Sequence, residues 1–351
     1  MFMDSIYNYS IKDLEEYFVS NGDKPYKAKQ IFKWLYEKRC SDFNLMSDLS
    51  KDLINKLKND FVIERFEIVK KLKSKDGTIK FLFKLIDGSL IESVLMSFDY
   101  GYSACISTQV GCNMGCKFCA SGLLKKQRDL TVGEIVLQVL MLQIELDKDN
   151  IRLSNIVCMG TGEPFDNYDN LMKALTIIND PFSLAIGSRH ISISTCGLVP
   201  GILRFAEENV QYNLAISLHA ANDELRNSLM PINKAYNLET LISAIKEYAS
   251  LNNRRITFEY LLLNDVNIFE KDASDIARLL KGLNAYVNLI PYNEVNENPY
   301  KTVSDEASLK FYDMLKKKGV AVTLRQKRGD DIDAACGQLR AKEIKKWNML
   351  V

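Results

Sequence analysis

From residue 100 onward the chain alternates between two hydrophobic periods, and this constrains its fold more than any other feature. Short apolar runs at 104–107, 155–159, 190–195, 212–218, 255–262, 285–290 and 321–324 have the length and composition of buried strands. Between them, 132–146, 168–178, 199–207, 238–251, 273–283 and 306–318 repeat apolar residues at helical spacing. Strands separated by helices of about 10–15 residues pair in parallel through right-handed crossovers. Seven strands so spaced suit an α/β fold, a partial barrel of the (βα)6 type, better than a sandwich. No internal repeat or low-complexity tract interrupts the pattern.

The first 99 residues read differently. Three amphipathic segments, 11–19, 26–36 and 45–57, open the chain, with Asn21-Gly22, Ser41-Asp42 and Ser47 supplying turns and caps. From residue 62 the period becomes two. Strands are expected over 62–73, 79–86 and 90–96, joined by Asp76-Gly77 and Asp87-Gly88 turns. The expected organisation is an N-terminal helical domain over 1–61, a β-hairpin extension over 62–99, the barrel over 100–335 and a C-terminal segment over 336–351. Lys70, Lys71, Lys73, Lys75 and Lys80 crowd the first hairpin, as protection of a solvated edge or as a face for RNA. The helix over 26–36 mixes lysines with large apolar side chains, and reads as a surface helix with one buried face or as a phosphate-contacting one.

Composition excludes several classes. With 46 basic and 45 acidic residues the net charge is +1, so a polyanionic partner must be held by local patches. Lys125, Lys126, Arg128, Arg325, Lys327 and Arg328 form one such set. A hydrophobic fraction of 47% with 17 glycines and 7 prolines fits a packed globular protein, not a disordered one. No apolar run approaches the roughly 20 residues that span a bilayer, and the acidic N-terminus lacks the pattern of a secretion signal. A cytoplasmic location is expected, where the eight cysteines remain thiols and read as metal or redox chemistry.

In a barrel of this kind, ligands gather where strands end. Cys112, Cys116 and Cys119 follow the first barrel strand, and Gly160-Thr161-Gly162-Glu163 follows the second. Ser194 closes the third, Ser217-Leu218-His219 the fourth, and Asn293 follows the sixth. Three cysteines spaced C-x3-C-x2-C can wrap one small iron–sulfur cluster, with nearby glycines letting the backbone approach it. Structural zinc would want a fourth ligand at short spacing, and the only histidines, His190 and His219, lie far away. A four-iron cluster on three thiolates leaves one iron open, able to chelate the amino and carboxylate groups of S-adenosylmethionine.

At this loop the chain resembles the radical S-adenosylmethionine superfamily, and Met159–Pro164 resembles the superfamily's glycine-rich motif, whose Glu163 can accept from an ammonium. Two further cysteines narrow the resemblance. Cys105 stands seven residues before Cys112, and Cys336 lies in a polar stretch, Arg328–Leu339, containing Asp330, Asp331 and Asp333. With 108–112, 192–197, 216–219 and 229–233, these stretches resemble the RlmN/Cfr family of RNA methyltransferases over nearly the whole chain. Gln109-Val110-Gly111, Glu163-Pro164 and 327–331 look more like its adenine-C2 branch than its adenine-C8 branch.

The resemblance implies a [4Fe-4S] cluster on Cys112, Cys116 and Cys119, and two molecules of S-adenosylmethionine per turnover. It implies that Cys336 carries a methyl group, that a radical formed on that group adds to adenine C2, and that Glu92 accepts the C2 proton. Cys105 would then close a disulfide with Cys336 and release the product. It assigns Gly162, Glu163, Ser194, Ser217, Leu218, His219 and Asn293 to the cofactor. The implied partners are 23S rRNA at the peptidyl-transferase centre, tRNA beside its anticodon, and a reductase that donates electrons, with the enzyme a monomer. Read from the residues alone, Glu92 would be an exposed strand glutamate and His219 a packed strand-end histidine. A metal-containing RNA-binding module without catalysis is the alternative, but it leaves Cys105, Cys336 and Glu163 unused.

Overall fold

The computed structural model describes residues 3–123, 125–295, 297–326 and 332. Cys336, Lys327 and Arg328 lie outside them. Strand β1 (Asp4–Ser5) pairs in parallel with β2 (Phe61–Val62) and ties together the two ends of a helical region. That region holds α1 (Ile11–Ser20), α2 (Lys27–Phe32) and α3 (Lys51–Asp60). An antiparallel ribbon follows: β3 (Glu67–Lys73), β4 (Ile79–Lys84), β5 (Leu90–Phe98) and β6 (Gly101–Cys105). A two-residue pair, β7 (Gln109–Val110) with β8 (Arg128–Asp129), closes the base of the cysteine loop.

The alternating part runs α4 (Val132–Asp147), β9 (Leu153–Cys158), α5 (Tyr168–Asn179), β10 (Ile191–Thr195), α6 (Val199–Ala206) and β11 (Asn213–Ser217). It continues with α7 (Asp223–Leu229), α8 (Leu238–Leu251), β12 (Ile256–Leu262), α9 (Glu270–Leu279), β13 (Ala285–Pro291), α10 (Asp305–Lys317) and β14 (Val322–Leu324). All the large strands join one ten-stranded sheet ordered β14-β13-β12-β11-β10-β9-β6-β5-β4-β3. From β6 to β14 every neighbouring pair is parallel, which is the open barrel expected from the alternation. Strand β6 belongs to both halves: it is antiparallel to β5 and parallel to β9.

Local chemistry explains the helix starts. Ser10 accepts from the Asp13 N–H while Asp13 accepts from the Ser10 N–H, and Thr131 and Glu134 repeat the arrangement at α4. The Asn237 and Ser304 side chains cap α8 and α10. Both expected tight turns are present, with Asp76 and Asp87 accepting from the N–H two residues on.

The structure differs from expectation at several places. The strand expected over 62–73 breaks after Val62, because Arg65 turns inward to donate to the Arg39 and Cys40 carbonyls. The second helix changes to a π-turn over Lys33–Glu37. The third starts at Lys51, where Ser50 accepts from the Leu53 N–H, instead of at 45. The helix expected over 273–283 occupies Glu270–Leu279, its first turn stabilised by Asp272 accepting from the Phe269 N–H. Helix α7 was not expected.

Helix α4 explains how the N-terminal region attaches. Residues around its whole circumference are buried, Ile135, Val136, Leu137, Val139, Leu140 and Leu142 among them, because it lies between the sheet and the N-terminal elements. Asn8 Oδ1 accepts the Gly133 N–H at 2.7 Å. One continuous apolar cluster runs from Tyr7, Phe18 and Leu35 through α4 to the barrel strands.

Candidate active site

A cavity of about 360 Å³ opens at the C-terminal ends of the parallel strands. Its walls include Cys105 at the end of β6, Gly160, Gly162 and Glu163 after β9, Ser194 in β10, Ser217 in β11, His219 beyond it and Asn293 beyond β13. Cys112, Cys116 and Cys119 line the same space. Two residues expected in the site stand elsewhere. Leu218 is buried in the main apolar core, and Glu92 stands on β5 next to Val94, on the same face but outside the cavity lining.

The cysteine loop is braced from two sides and by a bond of its own. The Lys117 N–H donates to the Leu229 carbonyl at the end of α7, and the Tyr292 hydroxyl donates to the Phe118 carbonyl at 3.1 Å. Within the loop, the Cys119 N–H donates to the Cys116 carbonyl. Burial pushes the Cys112 thiol up to about 11, opposed by the Met114 N–H and reinforced by the negative charges of Cys119 and Glu163. Burial raises Cys116 further. Two thiols that resist ionisation, with Cys119 in the same cavity, suit a cationic metal group that takes up their negative charge. Among the described residues no three His, Cys, Asp or Glu side chains converge tightly enough to grip a single ion.

The glycine-rich turn packs directly on the first strand end. A Cβ at Gly160 would lie 2.6 Å from the Ile106 carbonyl oxygen, and Gly162 has φ +117° with Thr108 and Gln109 against it. The Thr161 carbonyl accepts from the Thr108 and Gln109 N–H groups. Glu163 is buried, which raises its pKa, yet its oxygens accept from the Phe165 and Cys196 N–H groups at 3.0 and 2.8 Å. It therefore ties the second and third strand ends together and still borders the cavity.

At the fourth strand end the backbone of His219 is left-handed, with φ 54°. Its Nδ1 accepts from Leu261, and its ring meets Phe118 edge-on at 4.7 Å. The residue that organises this corner is Arg226 in α7, fully buried and missed from sequence. Its Nη2 donates to the Cys196 and Ser217 carbonyls, Nε to Leu218, and Nη1 to Asn233 Oδ1 at 2.7 Å. Arg226 precedes the buried Leu229 by three positions, so a helical reading of 223–229 would have put it on the inner face.

The remaining wall belongs to the antiparallel ribbon. Cys105 stands opposite Val94 of β5 and Val157 of β9. Glu92, two residues from Val94, is on the same sheet face, and its Oε2 lies 2.9 Å from Lys80 Nζ. Lys80 is 0% exposed and Glu92 4%, which corrects the expectation that Lys80 belongs to an exposed basic edge and Glu92 to solvent. The Ser107 hydroxyl donates to the Glu92 carbonyl and accepts the Thr161 N–H, joining this wall to the glycine-rich turn. Gln138, the lone polar residue in the apolar run of α4, accepts from Ser93 and Ser107. Of the basic set near the cavity, Lys126 is paired with Asp129 and Asp166, and Arg128 with Asp87 and Glu134.

The partial barrel and its thiol-lined mouth define a radical SAM protein, and residues 106–280 match the Radical SAM superfamily model. That superfamily implies a [4Fe-4S] cluster and S-adenosylmethionine. Residues 5–63 match the ribosomal RNA large subunit methyltransferase N-terminal domain. A "Probable dual-specificity RNA methyltransferase RlmN" from Streptococcus suis is 52% identical, covering 97% of this chain and 94% of that protein. The protein of the same name from Spiroplasma citri is 54% identical, with coverages of 97% and 98%. The crystal structure of a radical SAM methyltransferase from Sphaerobacter thermophilus superposes with a TM-score of 0.91 at 41% identity, over 95% of this chain and 98% of that one. The chain belongs to the RlmN family of radical SAM RNA methyltransferases. Among the described residues, no helix is long and apolar enough to cross a membrane.

Proposed function

We propose that this protein methylates C2 of an adenosine in the peptidyl-transferase centre of 23S rRNA, and the adenosine beside the tRNA anticodon, through an S-methylcysteine intermediate. The relatives are named dual-specificity RNA methyltransferases. The observation that carries the reading is the presence of Cys105 in the same cavity as Cys112, Cys116 and Cys119. Adenine C2 is electron-poor and does not attack a sulfonium methyl, so the carbon must arrive by another route. A second thiol within the cavity is what such a route needs.

In this reading Cys112, Cys116 and Cys119 hold the cluster, while Gly162, Glu163, Ser194, Ser217, Leu218, His219 and Asn293 contact S-adenosylmethionine. When bound, the cluster and S-adenosylmethionine supply the radical that removes a hydrogen from a methyl group. Cys336 carries that methyl group, Glu92 takes the C2 proton, and Cys105 forms the disulfide with Cys336 that frees the product. Two molecules of S-adenosylmethionine are consumed per turnover. Residues 1–61 serve as the RNA-gripping region, 62–99 as the ribbon that brings Glu92 to the barrel, 100–335 as the barrel and 336–351 as the segment that opens with the methyl carrier. The enzyme works as a cytoplasmic monomer supplied by a reductase.

The test is anaerobic reconstitution with iron and sulfide, followed by reaction with rRNA and tRNA fragments carrying deuterium at adenine C2 or C8. Loss of the C2 label with formation of 2-methyladenosine in both RNAs supports the reading. Loss of the C8 label, or no cleavage of S-adenosylmethionine, overturns it.

A further inference from the structure

We propose that Lys80 is the positioning residue that holds the Glu92 carboxylate in place for proton transfer from the substrate carbon. The inference rests on the reading of Glu92 as the proton acceptor. In the β4–β5 ladder Lys80 faces Val94, and Leu82 faces Glu92. Residues directly opposite one another in an antiparallel pair share a sheet face, so Lys80, Glu92 and Val94 point the same way. Val94 in turn faces Cys105, and both line the cavity. The ion pair thus sits on the same sheet face as the proposed resolving thiol, next to the part of the wall that carries it.

Both side chains are enclosed, so the ion pair fixes where the Glu92 carboxylate points. Lys80 Nζ, 2.9 Å from Oε2, holds one oxygen in place. The surroundings are apolar: Leu82 and Leu90 pack nearby with Val69 and Leu72, and Val94 and Met96 pack with Cys105. An apolar pair would fill such a wall with equal or better stability, so stability does not account for two buried charges. A proton-transfer role does. The C2–H bond breaks, its electron pair stays with the base ring, and its proton passes to a Glu92 carboxylate oxygen. The pair changes from ammonium–carboxylate to ammonium–carboxylic acid, with no other bond altered.

The experiment uses the full-length reconstituted enzyme with Lys80→Met, Lys80→Arg and Glu92→Gln. It follows three signals: S-methylation of Cys336, cleavage of S-adenosylmethionine, and the covalent RNA–protein adduct on denaturing gels. Lys80→Met is expected to keep Cys336 methylation within about twofold, accumulate the adduct with its C2 deuterium retained, and lose about 100-fold in turnover. Lys80→Arg is expected to restore most of the turnover. Product release by Lys80→Met at the unmodified rate, while Glu92→Gln traps the adduct, would overturn the inference alone. Loss of Cys336 methylation in both Lys80 variants would also overturn it, assigning Lys80 to the architecture of the wall. Normal turnover by Glu92→Gln would remove instead the reading of Glu92 on which the inference stands.

Discussion

His219 Nδ1 accepts the Leu261 N–H at 3.0 Å, so the neutral ring carries its proton on Nε2. Burial first, and the positive charge of Arg226 second, hold its pKa down to about 3. The unfolded chain binds a proton near pH 6.5 that the folded chain refuses, so stability falls as pH drops below that value and continues to fall towards 3. Between pH 6.5 and 5 the loss is about 2 kcal/mol, at about 1.4 kcal/mol per pH step. His219→Gln, which offers an amide oxygen to Leu261, should abolish this share of the acid sensitivity. Denaturant midpoints of both proteins at neutral pH and at about pH 5 check it; equal acid sensitivity in the two would refute it.

Arg226 should be the most sensitive position outside the cysteines. Arg226→Met removes the buried donor shared by the Cys196, Ser217 and Leu218 carbonyls and Asn233 Oδ1, at a cost of about 3–5 kcal/mol. Lysine cannot reproduce the planar fork and should rescue little of this. Urea denaturation reports the stability, and calorimetric titration with S-adenosylmethionine should show a parallel loss of binding. A variant as stable as the parent would refute the bracing role.

Two glycines with similar backbone signs should behave differently. Gly88 has φ +85° and nothing within 4 Å of a built Cβ, so Gly88→Ala carries only the left-handed strain, about 1–2 kcal/mol. Gly162→Ala adds overlap at 2.7 Å with Thr108 and at 2.8 Å with Gln109. It should destabilise the protein by about 3 kcal/mol or more and impair cofactor binding. Equal thermal shifts for the two variants would contradict this.

Cys105→Ala removes a small buried thiol and should leave folding nearly intact. It is expected to retain methylation of Cys336 and to accumulate an RNA–protein adduct. Intact-mass spectrometry after nuclease digestion reads both. Normal turnover would exclude Cys105 from product release.

Much of the fold is legible because parallel strands buried on both faces write themselves as short apolar runs. All seven, from 104–107 to 321–324, correspond to strands of the sheet. The cysteine loop and the glycine-rich turn are legible because their spacing is local. What escaped detection is long-range. Lys80 and Glu92 look like solvent-facing polar residues in alternating strands until β6 is known to lie beside them. Arg226 escaped because its partners are backbone carbonyls from two other strand ends, and carbonyls have no sequence signature. Helix α7 was missed because seven residues are too short for a periodic signal.

The Lys80–Glu92 pair also governs how the ribbon is assembled. Side chains alternate across a strand, so sliding β4 or β5 by one residue would move one of these charges to the other face and break the ion pair. Every misaligned ribbon is thereby penalised by several kcal/mol. The pair acts as a notch that favours one alignment of β4 on β5, the strand whose Val94 stands opposite Cys105 of β6.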